Sequence, residues 1–296
     1  MKEETVLFRA PPMTSLTLDR FRSLKNLPSL PEQIDNVLMT TGTTSSMDYS
    51  IVEMIQYDPA MAMAVLKVAN TPIYGYPGKI SSLQQAAGLL GPGAIKNIIL
   101  RTPIIERFSD TSSEVLSIDY LQLWIHSGVT AAVSGGLGRF IGGMESDVSF
   151  TAGLIHDAGV IALTVYFPTA FAKVQDYMDE NQVDLIEAEK QTLGFSHLEV
   201  AGEMMAAWGF PPQLSQVILQ YVAPEKNKIN WEIAGVVALA KSLASEWGFP
   251  SGLKGVTETE RDRLLALLGI SAKELQKWEP ELRKYAEFAL DTMKIS

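Results

Sequence analysis

The stretch Phe150-Thr-Ala-Gly-Leu-Ile-His-Asp-Ala-Gly159, running on into Val160-Ile-Ala-Leu-Thr164, decides how the rest of the chain is read. It is apolar without the period-two alternation of a half-exposed strand, and its length suits a buried helix. We read one helix over 147–167. In its middle lie two polar side chains, His156 and Asp157. The chain has three histidines, His126, His156 and His197, and each falls within a helical pattern. Adjacent helical residues diverge by roughly 100° around the axis. His156 and Asp157 therefore reach one ion only if it sits beside the helix, between their two directions. His126, on the preceding pattern over 118–140, can converge on the same point where the two helices pack. Two imidazoles and a carboxylate suit Fe, Mn, Zn or Ni, with an acceptor needed behind each ring to set its tautomer. The competing account is three buried histidines with backbone partners. The dipeptide His-Asp alone does not decide between them.

Helical patterns continue in both directions. Residues 1–23 read as a tail with a Pro11-Pro12 pair and little periodicity. Leu27-Pro28-Ser29-Leu30-Pro31 opens the helical region, with Pro31 in a first turn and Ile34, Val37 and Leu38 at helical spacing. A second helix is expected over 47–56. Asp58-Pro59 then supplies an N-cap and a first-turn proline for 60–69. The loop over 70–78 is dense in turn residues. Ser81 or Ser82 caps a helix to Leu90, Gly91-Pro92-Gly93 breaks the chain, and 94–108 resumes it. Beyond the central stretch, helices are expected over 168–181, 185–193, 196–208, 213–221, 231–247, 257–268 and 271–293. Ser271 and Glu274 have capping-box spacing at the start of the last. No series of β-branched runs with hairpin turns occurs. The fold class is all-α.

Bulk composition removes several functions. Among 296 residues, 47% are hydrophobic and 20% charged, enough apolar material for a sizeable core. A net charge of −10 gives no general attraction for phosphate backbones or anionic membranes, so neither nucleic acid nor membrane is an expected partner. The absence of cysteine excludes disulfides, thiolate metal sites and cysteine nucleophiles. Apolar runs such as Ile233–Ala240 are far shorter than the roughly 20 residues that cross a bilayer, and a cytoplasmic protein is expected. There is no phosphate-binding GxxxxGK[ST] loop, and Ser196-His197 follows no strand-and-elbow signature of a serine nucleophile.

The N-terminal half closely resembles the HD-related output domain (HDOD) family. The motifs that carry the likeness occur in order: Leu27-Pro28-Ser29-Leu30-Pro31, Ile55-Gln-Tyr-Asp58-Pro59, Ala69-Asn70-Thr71, Tyr74-Gly75, Ile80-Ser81-Ser82-Leu83 and Ala87-Gly-Leu-Leu90-Gly91. It continues through Trp124-Ile-His126-Ser127, Ala152-Gly-Leu-Ile-His156-Asp157-Ala-Gly159, Ser196-His197 and Trp208-Gly-Phe-Pro211. The resemblance implies a helical bundle with an HD-superfamily-like core in its second half. The corresponding organisation is a tail over 1–23, an HDOD-like domain over 24–222 (24–110, then an HD-like part over 111–222), and a helical extension over 223–296 packed on the HD-like part.

In HD hydrolases of the wider superfamily, a His, the His-Asp pair and a later Asp hold metal that activates water. The resemblance implies His126, His156 and Asp157 as counterparts of the first three, with His197 as the extra histidine of the HD-GYP branch. Three expected ligand positions are degraded: Gln220 and Tyr221 replace a histidine pair, and Lys241 replaces the later Asp. Val160 replaces the lysine that commonly follows His-Asp-x-Gly, and there is no GYP loop. The implied function is a non-catalytic bacterial signalling module with protein or small-ligand partners and no catalytic residue. One alternative is a metal-dependent phosphohydrolase holding a single Fe, Mn, Zn or Ni ion on the four candidates. Another is a cyclic-dinucleotide or nucleotide sensor drawing on Lys96 and Arg101.

Overall fold

A computed structural model describes residues 16–30, 55–103, 118–142, 144–253 and 261–293. The helix expected over 31–38 and most of that over 47–56 lie outside the described residues, as do 104–117, 254–260 and most of the N-terminal tail. Every described element is helical; Ser29 alone makes an isolated bridge, its N–H donating to Pro103 O at 2.8 Å.

The first half begins with a single turn, α1 (Asp19–Arg22), then α2 (Pro59–Ala69). In α2, Asp58 accepts from the Met61 N–H at 2.7 Å and Pro59 occupies the first turn. The expected tail thus ends inside the body: Phe21 is fully buried, with its ring 5.0 Å from Phe167 and 5.9 Å from Phe195. A short 3-10 turn (Pro72–Tyr74) leads to α3 (Leu83–Ile99), capped by the Ser82 side chain. Gly91, at φ 73° and ψ 163°, makes the expected break within α3. That conformation suits a residue without Cβ. Within its described part, the helix expected over 94–108 stops at Ile99. Pro103 has no N–H to bond back to Ile99, and the residue before a proline is pushed out of helical conformation.

The second half comprises α4 (Tyr120–Ile141), α5 (Ser146–Ile155), α6 (Ala158–Tyr166), α7 (Pro168–Asn181), α8 (Leu185–Thr192), α9 (His197–Ala207), α10 (Pro212–Gln220), α11 (Trp231–Glu246), α12 (Arg261–Leu268) and α13 (Ala272–Met293). α4 is its axis, packed by α5, α11 and α13. Its residues Leu123 to Gly138 are nearly all buried, which requires small side chains on several faces. A Cβ on Gly136 would lie 2.7 Å from Leu282 and Tyr285 of α13. On the α5 side, a Cβ on Gly153 would lie 2.6 Å from Ser134 Oγ. The C-terminal helices α11 and α13 are therefore seated along α4.

One expectation needs correcting at the centre of the chain. The single helix read over 147–167 is two, broken at His156-Asp157. Asp157 leaves helical geometry at φ −94°, ψ 17°. The His156 ring bonds Gly153 O at 2.7 Å, the carbonyl to which the Asp157 N–H would bond in a continuous helix. A side chain competing for a helix carbonyl in this way favours a break. The span Ser146–Tyr166 has the length and mean hydropathy (1.5) of a membrane-crossing helix, contrary to the reading that all apolar runs are short. However, 89% of that window is buried inside the protein, as a core helix pair would be.

Candidate metal centre and its polar relay

Three elements bring the central polar groups together. His126 comes from α4, His156 and Asp157 from the α5–α6 junction, and Lys241 from α11. The two imidazoles and the carboxylate are buried, at 0%, 0% and 1% exposure. His126 Nδ1 lies 2.7 Å from Phe249 O, and His156 Nδ1 lies 2.7 Å from Gly153 O. A carbonyl only accepts, so both Nδ1 atoms carry the proton, and in a neutral ring Nε2 keeps a lone pair. Burial, with His156 and Lys241 adding to it, pushes the His126 pKa down to about 3, so this ring is neutral.

Asp157 behaves in the opposite way. Burial alone would raise its carboxyl, but His156 and Lys241 beside it hold it well below the usual carboxylate range. Its two oxygens face different company. Oδ1 accepts from the Tyr221 hydroxyl at 2.8 Å and from Lys241 Nζ at 3.4 Å. Oδ2 lies 3.2 Å from His156 Nε2 and 3.9 Å from His126 Nε2. One ligand atom from each of His126, His156 and Asp157 lies within 4.8 Å of the others. Apart from these mutual approaches, His126 Nε2, His156 Nε2 and Asp157 Oδ2 have no hydrogen-bond partner. Leaving buried acceptors unpaired is costly. An acceptor trio with both distal nitrogens anchored on carbonyls is the donor set a transition metal uses.

Taken by themselves, these three ligand atoms fit one metal ion, which His126, His156 and Asp157 would hold. Such an ion would supply Lewis acidity and lower the pKa of a water bound to it. The groups around Oδ1 do not extend the ligand set. Lys241 brings a cation, its Nζ also 5.0 Å from the centre of the Tyr221 ring, and Tyr221 uses its proton on Asp157.

His197 lies outside this trio. It is the first residue of α9, after Ser196, which caps the helix in a full capping box with Glu199. Both its backbone N–H and Nδ1 bond Glu189 Oε2, at 2.9 and 2.8 Å, and its Nε2 sits 3.3 Å from the Tyr221 hydroxyl. The result is a buried relay, Glu189–His197–Tyr221–Asp157–Lys241, tying α8, α9, α10, the α5–α6 junction and α11 together. The start of α9 sits so close to α6 that a Cβ on Gly159 would lie 1.9 Å from His197 O. Gln220 takes no part: its Nε2 donates to Ile229 O at 2.7 Å and closes the loop before α11. Lys96 lies half-buried on α3, and Arg101 lies exposed just past its end.

Sequence reasoning missed Glu189 and Phe249. Glu189 had a signal: with Leu185 and Ala188 it falls on the buried stripe of α8, an unusual place for a carboxylate. The Phe249 carbonyl had none, because any residue offers the same backbone atom.

The architecture is all-helical, and the chain belongs to the HDOD domain family, whose model matches residues 27–224. An uncharacterized protein of Treponema pallidum (strain Nichols) is 21% identical over 225 residues, which is 75% of this chain. The match spans only 42% of that relative's length. Among solved structures, the MmoQ response regulator of Methylococcus capsulatus superposes with a TM-score of 0.67 at 20% identity, over 86% of this chain and 98% of that one. A virulence factor of Campylobacter jejuni also gives 0.67, at 18% identity, over 93% and 96%. An HDOD domain protein of unknown function from Geobacter sulfurreducens gives 0.54 at 19%, over 94% and 97%. At these identities the structures establish the fold.

Proposed function

We propose that this chain is a non-catalytic signalling output module of the bacterial type, acting through a protein or small-ligand partner. The observation that carries this reading is the state of Asp157. Its Oδ1, which a hydrolase could offer to a second metal, is taken by the Tyr221 hydroxyl and the Lys241 ammonium. Two-metal water activation needs further anionic or imidazole ligands there, and a cation repels the ion they would hold. His126, His156 and Asp157 are also sealed from solvent, so no substrate phosphate touches them without an opening of the fold. Support comes from family membership and from the likeness to MmoQ, itself described as a response regulator. The test is turnover of bis-p-nitrophenyl phosphate and cyclic diguanylate in the presence of Mn²⁺, Fe²⁺ or Zn²⁺. We expect none above the His156→Ala, Asp157→Ala double variant. Turnover that this variant abolishes would overturn the reading.

A second reading is favoured by the three unpaired acceptors. It is a mononuclear phosphohydrolase using one ion on His126, His156 and Asp157. It requires about one Fe, Mn, Zn or Ni per chain in freshly purified protein, lost in the same double variant. Elemental analysis decides that point directly.

A further inference from the structure

The Lys241 side chain is 21% exposed, reaches inward from α11, and places its ammonium 3.4 Å from Asp157 Oδ1 and over the Tyr221 ring. On the far side of the same carboxylate, the metal-type acceptors survive intact, with both imidazoles oriented by backbone carbonyls. The trio therefore offers three ligand atoms but has a positive charge beside it. We propose that Lys241 is a tethered cation that takes a metal's electrostatic place at Asp157 and keeps divalent ions off the trio beside it. The inference rests on the non-catalytic reading above and extends it to a specific residue.

The physical case has two parts. First, a buried carboxylate needs a compensating charge. Lys241 supplies it covalently, so the junction of α5 and α6 with α10 and α11 is held without dependence on any free ion. Second, a divalent cation at the trio would share Asp157 with an ammonium already paired to it. Like charges at this range in a partly desolvated site repel strongly. Neutralising Lys241 removes that repulsion and leaves Asp157 wanting a cation, with three ligand atoms ready to hold one.

The experiment compares the native chain with Lys241→Met, which removes the charge and keeps most of the apolar stem against Tyr221, and Lys241→Arg, which keeps the charge. Zn²⁺ and Mn²⁺ are titrated calorimetrically, and melting is followed with and without each ion. Lys241→Met should bind at least about tenfold tighter than the native chain, and its melting temperature should rise with metal. The native chain and Lys241→Arg should show neither effect. Adding His156→Ala to Lys241→Met should abolish the gain. Equal binding by the native chain and Lys241→Met overturns the proposal, as does a folded Lys241→Met that gains nothing. If Lys241→Met is unfolded alone, folding on metal addition supports the proposal, and failure of both it and Lys241→Gln to fold with metal counts against it. Phosphodiester turnover by the native chain would instead sink the non-catalytic reading, and is assayed separately.

Discussion

Tyr221 shows how one atom changes the meaning of a site. Its hydroxyl binds Asp157 Oδ1 and faces His197 Nε2, linking two groups that would otherwise be separate. Burial and the negative charge of Asp157 push its pKa well above the usual phenol value, so it remains a donor. Tyr221→Phe should cost about 1–3 kcal/mol, the range for a buried bond to a charged acceptor, read as a lower urea midpoint. Asp58 is a second decisive residue: buried, it accepts from Ser29 Oγ, the Met61 N–H and Trp124 Nε1, so it fastens the first half onto α4. Burial raises its pKa. A carboxyl whose folded pKa is raised contributes stability that is full below the unfolded value of roughly 3.9 and is lost as pH rises through the folded value. Urea midpoints of the native chain should therefore fall relative to Asp58→Asn as pH climbs above about 4. A constant difference between the two across that window would contradict this assignment.

At the scale of elements, the important event is the break between α5 and α6. A continuous helix would send His156 and Asp157 in divergent directions, whereas the break lets both meet His126. The start of α9 is placed with equal care by the Ser196–Glu199 capping box and by the missing side chain at Gly159. Ser196→Ala should cost about 1 kcal/mol, as for other N-caps. Gly159→Ala should cost ~3 kcal/mol or more, because a backbone oxygen at 1.9 Å cannot be displaced like a side-chain tip. Thermal melts of the two variants should differ in that order. Equal melting temperatures would mean that α9 is not pressed against α6 as described.

Across the whole molecule, the extension beyond the HDOD match is part of the body. α13 covers α4 along Gly128 and Gly136, and the loop after α11 supplies the carbonyl that sets the His126 tautomer. Arg283 stacks 4.5 Å over the Trp247 ring, clasping α13 to the end of α11. Removing residues from 271 onward should uncover the fully buried Val129, Val133 and Leu137, giving dye-binding apolar surface and a lower melting temperature. Retention of native stability after that truncation would show that α13 merely decorates the bundle.

The helical class, the order of most elements and the caps at Asp58, Ser82 and Ser271 were legible in the sequence, and so was the choice of His126, His156, Asp157 and His197 as candidate ligands, of which the structure brings the first three together. They follow from periodicity, from turn and cap chemistry, and from the scarcity of histidine, all local signals. The helix over 147–167 was misread because its apolar pattern is continuous, while the break depends on one ring turning back to a carbonyl. The length of α3 and the burial of Phe21 escaped for a related reason: a single proline and a distant aromatic pair decided them. Only the tertiary structure placed His197 with Glu189 and away from the trio. It also showed Lys241 pointing at Asp157, where the sequence showed no more than a cation in an anion's position. Directions of side chains across separate helices depend on packing, and no spacing along one helix encodes them.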